Sequence, residues 1–396
     1  MKILLLAPHP FYQERGTPIA VDLLLRTLVR KGHEIDVLTY HEGSDRSFDG
    51  TGVVRIHRIS PPPGCQNIRP GFSFKKLLAD VYMHRAAMRL VRQSNYDVVH
   101  AVEESAFMAM NIRRRRGIPY IFDMDSSMPM QMVEKLSILK PLMPVFRRME
   151  NSAIRNAMAV TAVCDSLADL ARQGGANKIS ILRDIPLGDT FSDQQSGQGF
   201  RSALGISGVT LLYIGNLEAY QGIDLLLNSF ARIYNQTDAN LVIVGGIPKH
   251  VDAYRALAEK LGVNKRTHII GPRPLSDMNA LMREADILVS PRIKGNNTPM
   301  KIYSYMAAGK AILATDLFTH TQVLDDATAK LAAPDTASFA TAMLDLIQSP
   351  EMRDKTGRES KHVVETRFSL KVFEETVDEL YQWIGEQTAN AMGHQT

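Results

Sequence analysis

"VTLLYIGNLEAYQGIDLLLNSFARIYNQTDANLVIVGG", residues 209–246, is the stretch on which the fold turns. It reads as a short apolar run, a glycine-bearing loop, a helix with apolar residues at helical spacing, and a second apolar run ending in Gly245 and Gly246. Continuous apolar strands separated by amphipathic helices are what a parallel sheet covered on both faces requires. The alternation continues through "YRALAEKLG", "THIIG", "MNALMREA", "DILVSPR", "MKIYSYMAAG" and "KAILATD". The spacing predicts a doubly wound parallel sheet.

Upstream the same grammar appears once more: "MKILLLAP", "TPIAVDLLLRTLVRKG", "HEIDVLTYH", "GVVRIHRIS", "YDVVHAV", "IPYIFDMD" and "AMAVTAV". Most of these Val- and Ile-rich runs are separated by helical stretches, so a second Rossmann-like half precedes the first. A chain of 396 residues exceeds what one core usually organises, which agrees with two domains in tandem. Between them "GDTFSDQQSGQGFRSALGISG" is polar and rich in Gly and Ser, and reads as a linker and hinge. The expected boundaries are 1–188 for the first domain, 189–208 for the linker, 209–366 for the second domain and 367–396 for a C-terminal helix and tail. The segment "RFSLKVFEETVDELYQWI" supplies that helix, which can pack back on the first domain.

Composition narrows the class. With 45% hydrophobic and 22% charged residues the chain is globular. Two cysteines, Cys65 and Cys164, form neither a disulfide framework nor a metal cluster, and point to a reducing compartment. The opening "MKILLLAPHP" is too short for a signal-peptide core and reads as a buried strand. No window approaches the roughly 18 apolar residues of a membrane span. Charge is uneven: residues 1–200 hold 26 Lys and Arg against 20 Asp and Glu, and residues 201–396 hold 20 against 22. The first half is the side suited to an anionic surface. Within it, "RPGFSFKKLLADVYMHRAAMRLVRQ" reads as a basic amphipathic helix, either an ordinary domain helix or one that lies on acidic lipid.

In open parallel sheets, ligands bind beyond the carboxyl ends of the strands. The first such loop, "PHPFYQERGTPIAV", holds only Gly16 where a dinucleotide enzyme carries G-x-G-x-x-G, which weighs against a dehydrogenase. The second domain has three loops, "YIGNLEAYQGID", "IVGGIPKH" and "SPRIKGNNTPMKI", that can converge on one phosphorylated ligand.

The chain resembles the family-4 retaining glycosyltransferases in "YIGNLEAYQGIDLLLNSF", "HIIGPRPLSDMNALMREADILVSP" and "MKIYSYMAAGKAILATD", and in Gly16 placed ahead of "LLLRTLVRKGHEIDVLT". The resemblance covers nearly the whole chain. It implies the GT-B fold, an α/β architecture of two facing Rossmann-like doubly wound domains with a ligand cleft between them. It also implies a nucleotide-sugar held mostly by the C-terminal domain, and no metal or other cofactor. The E-x7-E commonly found ahead of the M-A-x-G helix falls here on Asn296 and Ser304, and R/K-x4-K falls on Asn216 and Gln221. Four charged positions are neutral. Lys301, with Arg292 and Lys294 nearby, is the substitute cation for a diphosphate, or else a solvated first-turn lysine. The donor-binding set is expected to be Gly16, Gly215, Asn216, Gln221, Gly245, Arg273, Asn297, Thr298, Met300, Lys301 and Ser304.

"DMDSS", with Asp123 and Asp125, looks like the metal-binding D-x-D of another glycosyltransferase fold but ends a first-domain strand here. Asp125 stands where the family has a cleft His near the acceptor, so it positions an acceptor hydroxyl or caps a helix. Glu103, after "HAV", is a catalytic-edge carboxylate or a first-turn helix acid. Asp125 and Glu103 are the catalytic candidates. "RRRRG", residues 113–117, reads as a basic helix end capped by Gly117. The function expected is hexosyl transfer from a nucleotide diphosphate sugar to a hydroxyl of a surface-glycan or lipid-linked acceptor, in the cytoplasm, peripheral at the inner membrane face. An anionic membrane surface is a further expected partner, and nucleic acid is not. The rivals are a nucleotide-sugar epimerase or hydrolase of the same fold, and a catalytically silent partner subunit.

Overall fold

The computed structural model describes residues 1–68, 73–135, 137–187 and 200–393, with backbone alone for 134, 135, 137 and 391–393. The chain divides into two compact units, Met1–Arg183 with Phe373–Thr396, and Asp184–Val372. The linker expected over 189–208 falls largely on residues outside the described ones, which resume at Phe200.

In the first unit the strands are β1 (Lys2–Ala7), β2 (Glu34–Thr39), β3 (Val53–Arg58), β4 (Val98–Val102), β5 (Tyr120–Met124), β6 (Ala159–Ala162) and β7 (Ile179–Ile181). They form one parallel sheet in the order β3-β2-β1-β4-β5-β6-β7. Its helices are α1 (Gly16–Arg30), α2 (Phe74–Gln93), α3 (Ser105–Arg116), α4 (Met128–Lys135), α5 (Met143–Asn156) and α6 (Asp165–Gly174). The basic end of α3 terminates as the sequence predicts: Gly117 is left-handed at φ 73° and its amide donates to Arg113.

The second unit restarts the pattern with β8 (Thr210–Ile214), β9 (Asn240–Val244), β10 (Thr267–Gly271), β11 (Ile287–Ser290), β12 (Ala311–Thr315) and β13 (Lys330–Ala332). The order β10-β9-β8-β11-β12-β13 is again wholly parallel. The helices after α6 are α7 (Arg201–Leu204), α8 (Ile223–Ile233), α9 (Pro248–Lys260), α10 (Met278–Glu284), α11 (Lys301–Ala307), α12 (Phe318–Thr321), α13 (Thr336–Gln348), α14 (Pro350–Arg367) and α15 (Leu370–Gly393). The apolar run of β8 is needed on both faces. Leu211 and Tyr213 pack in one core with Leu226 and Phe230 of α8, and Leu212 and Ile214 in another with Tyr305 and Met306 of α11.

In each sheet the winding direction reverses beside the first strand, between β1 and β4 and between β8 and β11. Loops leaving neighbouring strands at such a point run apart and open a crevice at the carboxyl edge. The candidate residues lie at those two edges.

From Phe373 onward α15 belongs to the first unit. Val377, Leu380, Tyr381 and Ile384 are buried there, and they carry the docking energy. Ion pairs from Arg30 to Glu374 and from Lys31 to Asp378 are exposed and contribute little. A polar chain fixes the register: His100, fully buried in mid-β4, lies 2.9 Å through Nδ1 from the Tyr381 hydroxyl and 3.2 Å through Nε2 from Asp123, which also accepts from Thr161 at 2.6 Å. Replacing Tyr381 with Phe leaves His100 Nδ1 short of a buried partner and is expected to cost about 1–3 kcal/mol, while Tyr381→Ala costs about 3–5 kcal/mol. Urea unfolding followed by the fluorescence of Trp383, on the same helix, measures both. Equal midpoints for parent and Tyr381→Phe would show that the bond is not needed.

Candidate active site

At the switch point of the second unit the loops are built against one another. Gly245 (φ 117°) exists because a Cβ there would sit 2.0 Å from the carbonyl oxygen of Gly215, and Gly222 (φ 74°) because a Cβ would meet the Pro291 carbonyl at 1.9 Å. These glycines therefore serve the close approach of protein backbones. The Gly245 amide continues the ladder by donating to Gly271 at 2.7 Å, so the ends of β8, β9 and β10 are locked together.

The loop between β11 and α11 is held from inside. The Arg292 guanidinium donates to the Lys294 carbonyl at 2.6 Å and to the Asn297 side-chain oxygen at 3.1 Å, and lies 5.4 Å from the Tyr220 ring centroid. Arg292 is thus an internal strut. Thr315 donates to the Arg292 carbonyl at 2.5 Å, and Thr319 to the Asn297 carbonyl at 2.6 Å. Behind the loop, His320 is fully buried, with Nδ1 2.9 Å from the Thr315 carbonyl and Nε2 2.9 Å from the Ser290 hydroxyl.

Lys301 opens α11 at this edge. Its ammonium lies 4.0 Å from the centre of the Tyr213 ring and donates to Gln221 Oε1 at 3.4 Å. Among the described residues no carboxylate is within ion-pair distance of it. Burial, reinforced by the Arg292 charge, pulls its pKa well below the ordinary lysine range. Beside it the Thr298 hydroxyl, in a residue 4% exposed, has no hydrogen-bond partner. The remaining expected donor residues have varied surroundings. Asn216 is exposed and accepts from the Glu218 amide at 3.2 Å, Arg273 is exposed, and the Ser304 hydroxyl accepts from the Leu187 amide at 3.1 Å. Asn216, Gln221, Thr298, Met300 and Lys301 flank one switch point, whereas Ser304 has a structural partner.

In the first unit Gly16 begins α1 with open space around it. Glu103 follows β4 in the left-handed region at φ 49°, an uncommon state for a residue with a Cβ. Both Glu103 and Glu104 precede α3, so Glu103 is not an acid of that helix's first turn. Its carboxylate accepts from Ser126 at 3.1 Å and lies 3.9 Å from the Lys76 ammonium. Asp125 follows β5, and the amide of Met128 that opens α4 donates to Glu150 of α5. Asp123 is committed to His100 and Thr161.

Sequence reasoning passed over the ion cluster beneath Glu103. Lys76 of α2 meets Glu104 at 2.5 Å, and one helical turn on, Asp80 accepts from the Tyr40 hydroxyl at 2.6 Å. Burial, opposed in part by Lys76, raises the pKa of Glu104; burial, opposed by the Tyr40 bond and Lys76, raises that of Asp80. The signal was legible as an i, i+4 Lys–Asp pair facing a Glu-Glu step at a strand end.

Residues 208–349 match the model of the glycosyl transferases group 1 family, and residues 15–183 match the glycosyl transferase 4-like domain. Among curated relatives, a phosphatidyl-myo-inositol mannosyltransferase of Mycobacterium tuberculosis is 23% identical over 374 residues, 90% of each chain. A D-inositol 3-phosphate glycosyltransferase of Corynebacterium glutamicum is 33% identical over 126 residues, 29% of this chain and 30% of the relative. Among solved structures, sucrose-phosphate synthase from Thermosynechococcus elongatus superposes with a TM-score of 0.77 at 17% identity, covering 98% of this chain and 99% of that one. The glycosyltransferase WaaG does so with 0.70 at 15%, covering 95% and 98%. The chain belongs to the family-4 retaining glycosyltransferases, has the GT-B fold, and is a transferase enzyme.

The His320 geometry carries a pH dependence. Burial lowers its pKa from 6.5 to about 3, so between those values the unfolded chain binds a proton that the folded chain refuses. Stability from this group is complete above pH 6.5 and is lost as pH falls towards 3, at roughly 1.4 kcal/mol per unit. Hydrogen exchange of the β11 and α12 amides, corrected for intrinsic rates, is expected to speed up between pH 6 and 4 in the parent and less so in His320→Gln. The same acceleration in both would remove His320 from the account.

Proposed function

We propose that the protein transfers a hexose-type sugar, with retention, from a nucleotide diphosphate donor to a hydroxyl of a surface-glycan or lipid-linked acceptor. The observation that carries this reading is Lys301. A half-buried lysine held by a neutral amide and an aromatic face, near an unpartnered buried hydroxyl, is poised for an anion, whose charge favours the ammonium form that burial alone disfavours. It reaches position 221 from a different element, which supports transfer of the diphosphate-neutralising charge from position 221 to position 301. In that role it takes the place of a divalent ion, so we expect EDTA to leave turnover unchanged. Glu103 and Asp125 are the proposed acceptor-side residues. By its name, the mycobacterial relative acts on a lipid acceptor, which agrees with this class.

Incubation with a panel of nucleotide-sugars, with and without octyl glycosides and lipid-linked sugars, is expected to release nucleotide only when acceptor is present. Acceptor-independent product sinks the transferase reading in favour of epimerisation or hydrolysis. Lys301→Ala should weaken donor binding about ten- to hundredfold, the worth of a charge-assisted contact of roughly 1.5–3 kcal/mol, with the fold retained. If Lys301→Ala binds donor as the parent does while Gln221→Ala does not, the charge has not moved.

We place the enzyme in the cytoplasm, with the first unit on an anionic membrane face. No helix among the described residues is long and apolar enough to cross a membrane. On α2, Phe74 (85% exposed), Leu78 and Val81 form one stripe continued by exposed Arg85, Arg89 and Arg92. A second stripe runs Ile138 (83% exposed), Leu142, Val145 and Met149, flanked by exposed Lys140, Arg147 and Arg148. Apolar side chains interleaved with cations suit the lipid interface. Lys76, counted from sequence among the lipid-facing cations, is excluded by its inward ion pair with Glu104. Sedimentation with acidic but not neutral vesicles, reduced by salt and by Phe74→Ser with Arg85→Ser and Arg89→Ser, is the expected result. Equal recovery in the supernatant with both vesicle types would end the proposal.

A further inference from the structure

A cavity of about 330 Å³ opens within the first unit between α2, α3, α4 and α5. That volume falls in the range of small-molecule sites, about 300–1,000 Å³. Its wall is apolar over most of its extent, with Leu77, Phe107, Met108, Met132, Phe146 and Met149 among the lining residues. Thioethers and aromatic rings adapt to a flexible apolar guest at little cost. Folded proteins do not ordinarily leave such a wall unfilled, because the lining atoms forgo dispersion contacts.

The cavity has a direction. One end is polar, formed by Lys76 and Asp80 of α2, Glu104 before α3 and Gln131 of α4. A smaller recess shares Glu104, Phe107, Met128 and Gln131 and adds Glu103 and Ser126, so the polar end adjoins the carboxyl edge of β4 and β5. The apolar wall includes Leu77, next to the first surface stripe, and Met149, the last residue of the second, which are 51% and 46% exposed. An elongated guest entering beside the stripes therefore brings its inner end to the strand edge where Glu103 and Asp125 stand.

We propose that this cavity seats the apolar chain of an amphiphilic acceptor whose uncharged, hydroxyl-bearing head lies at the Lys76–Glu104 end. The inference rests on the transferase reading given above and names the acceptor class for it. The head is uncharged because the one cation at that end is already engaged: Lys76 is paired with Glu104 at 2.5 Å and lies 3.9 Å from Glu103. A phosphate placed there would face Asp80, Glu103 and Glu104 with no free cation among the described residues of the end, whereas sugar hydroxyls can donate to those carboxyls and accept from Gln131. Burial already strains the charged forms of Asp80 and Glu104, and an anionic head would increase that strain.

The probes are submicellar octyl β-glucoside, methyl β-glucoside and octyl phosphate. Calorimetry on the full chain is expected to show binding of octyl glucoside at least tenfold tighter than of the other two. Met132→Trp and Met149→Trp, the second at a half-exposed position that tolerates bulk, fill the chain path. Each should weaken octyl glucoside binding at least tenfold and lower by a similar factor the ratio of transfer to octyl over methyl acceptor. A photoreactive diazirine at the end of the octyl chain should label peptides containing Met132, Phe146 or Met149. Unchanged octyl glucoside binding in both variants, or labelling elsewhere, overturns the cavity assignment. Tighter binding of octyl phosphate overturns the uncharged head. Loss of binding in the variants with an unchanged octyl-to-methyl transfer ratio overturns the role of the chain as part of the acceptor. If the parent transfers sugar to no acceptor in the panel, the transferase reading fails, and the binding and labelling results still decide the cavity.

Discussion

Parallel strands wound in opposite senses from a common first strand leave one place on the sheet edge that no crossover helix can cover. In this chain that constraint acts twice, between β1 and β4 and between β8 and β11. Glu103 stands at the first of those positions, and Asn216, Gln221, Thr298, Met300 and Lys301 flank the second. In the second unit the edge is made rigid before any ligand arrives. Backbone approaches that exclude a Cβ at Gly222 and Gly245 lock the loops, and Arg292, Thr315 and Thr319 tie the Asn297 turn to the sheet. Lys301 is half-buried against this braced loop, with no carboxylate within ion-pair distance among the described residues.

The two edges solve opposite electrostatic problems. In the second unit Lys301 is left without a counter-charge among the described residues, which disfavours its ammonium form until an anion supplies one. At the edge of the first unit Asp80, Glu103 and Glu104 surround Lys76, and burial favours the protonated forms of Asp80 and Glu104. A negatively charged ligand gains at one edge and is penalised at the other. Under the proposed assignment, donor phosphates and acceptor hydroxyls are sorted to different units by charge.

Neutral residues at positions where the family carries charge need not mean a lost activity. Gln221 remains at the site as the hydrogen-bond acceptor for Lys301, so the amide and the relocated ammonium occupy the same region from different elements. Ser304 has been recruited differently, as the acceptor for the Leu187 amide. One of the two neutral residues is a hydrogen-bond partner of Lys301 and the other is a partner of the backbone.

The sequence by itself left the packing of the last helix open, and it determined the two parallel sheets and that Lys301 and Gln221 lie at loops of the second. These follow from apolar periodicity and from spacing, both of which are local properties of the chain. It could not distinguish a glycine that admits a ligand from one that admits another backbone, because both read as Gly, and only the carbonyls of Gly215 and Pro291 decide the matter. It also could not tell Lys76 from Lys75. Adjacent residues on α2 point about 100° apart, and only packing against α3 turned one towards Glu104 and left the other at the surface. Strand and helix identity are decided within a few residues, whereas the sign and exposure of a site are decided by which distant elements close over it. That is why the fold of this transferase was legible from its residues alone and the charge pattern of its two edges required the tertiary structure.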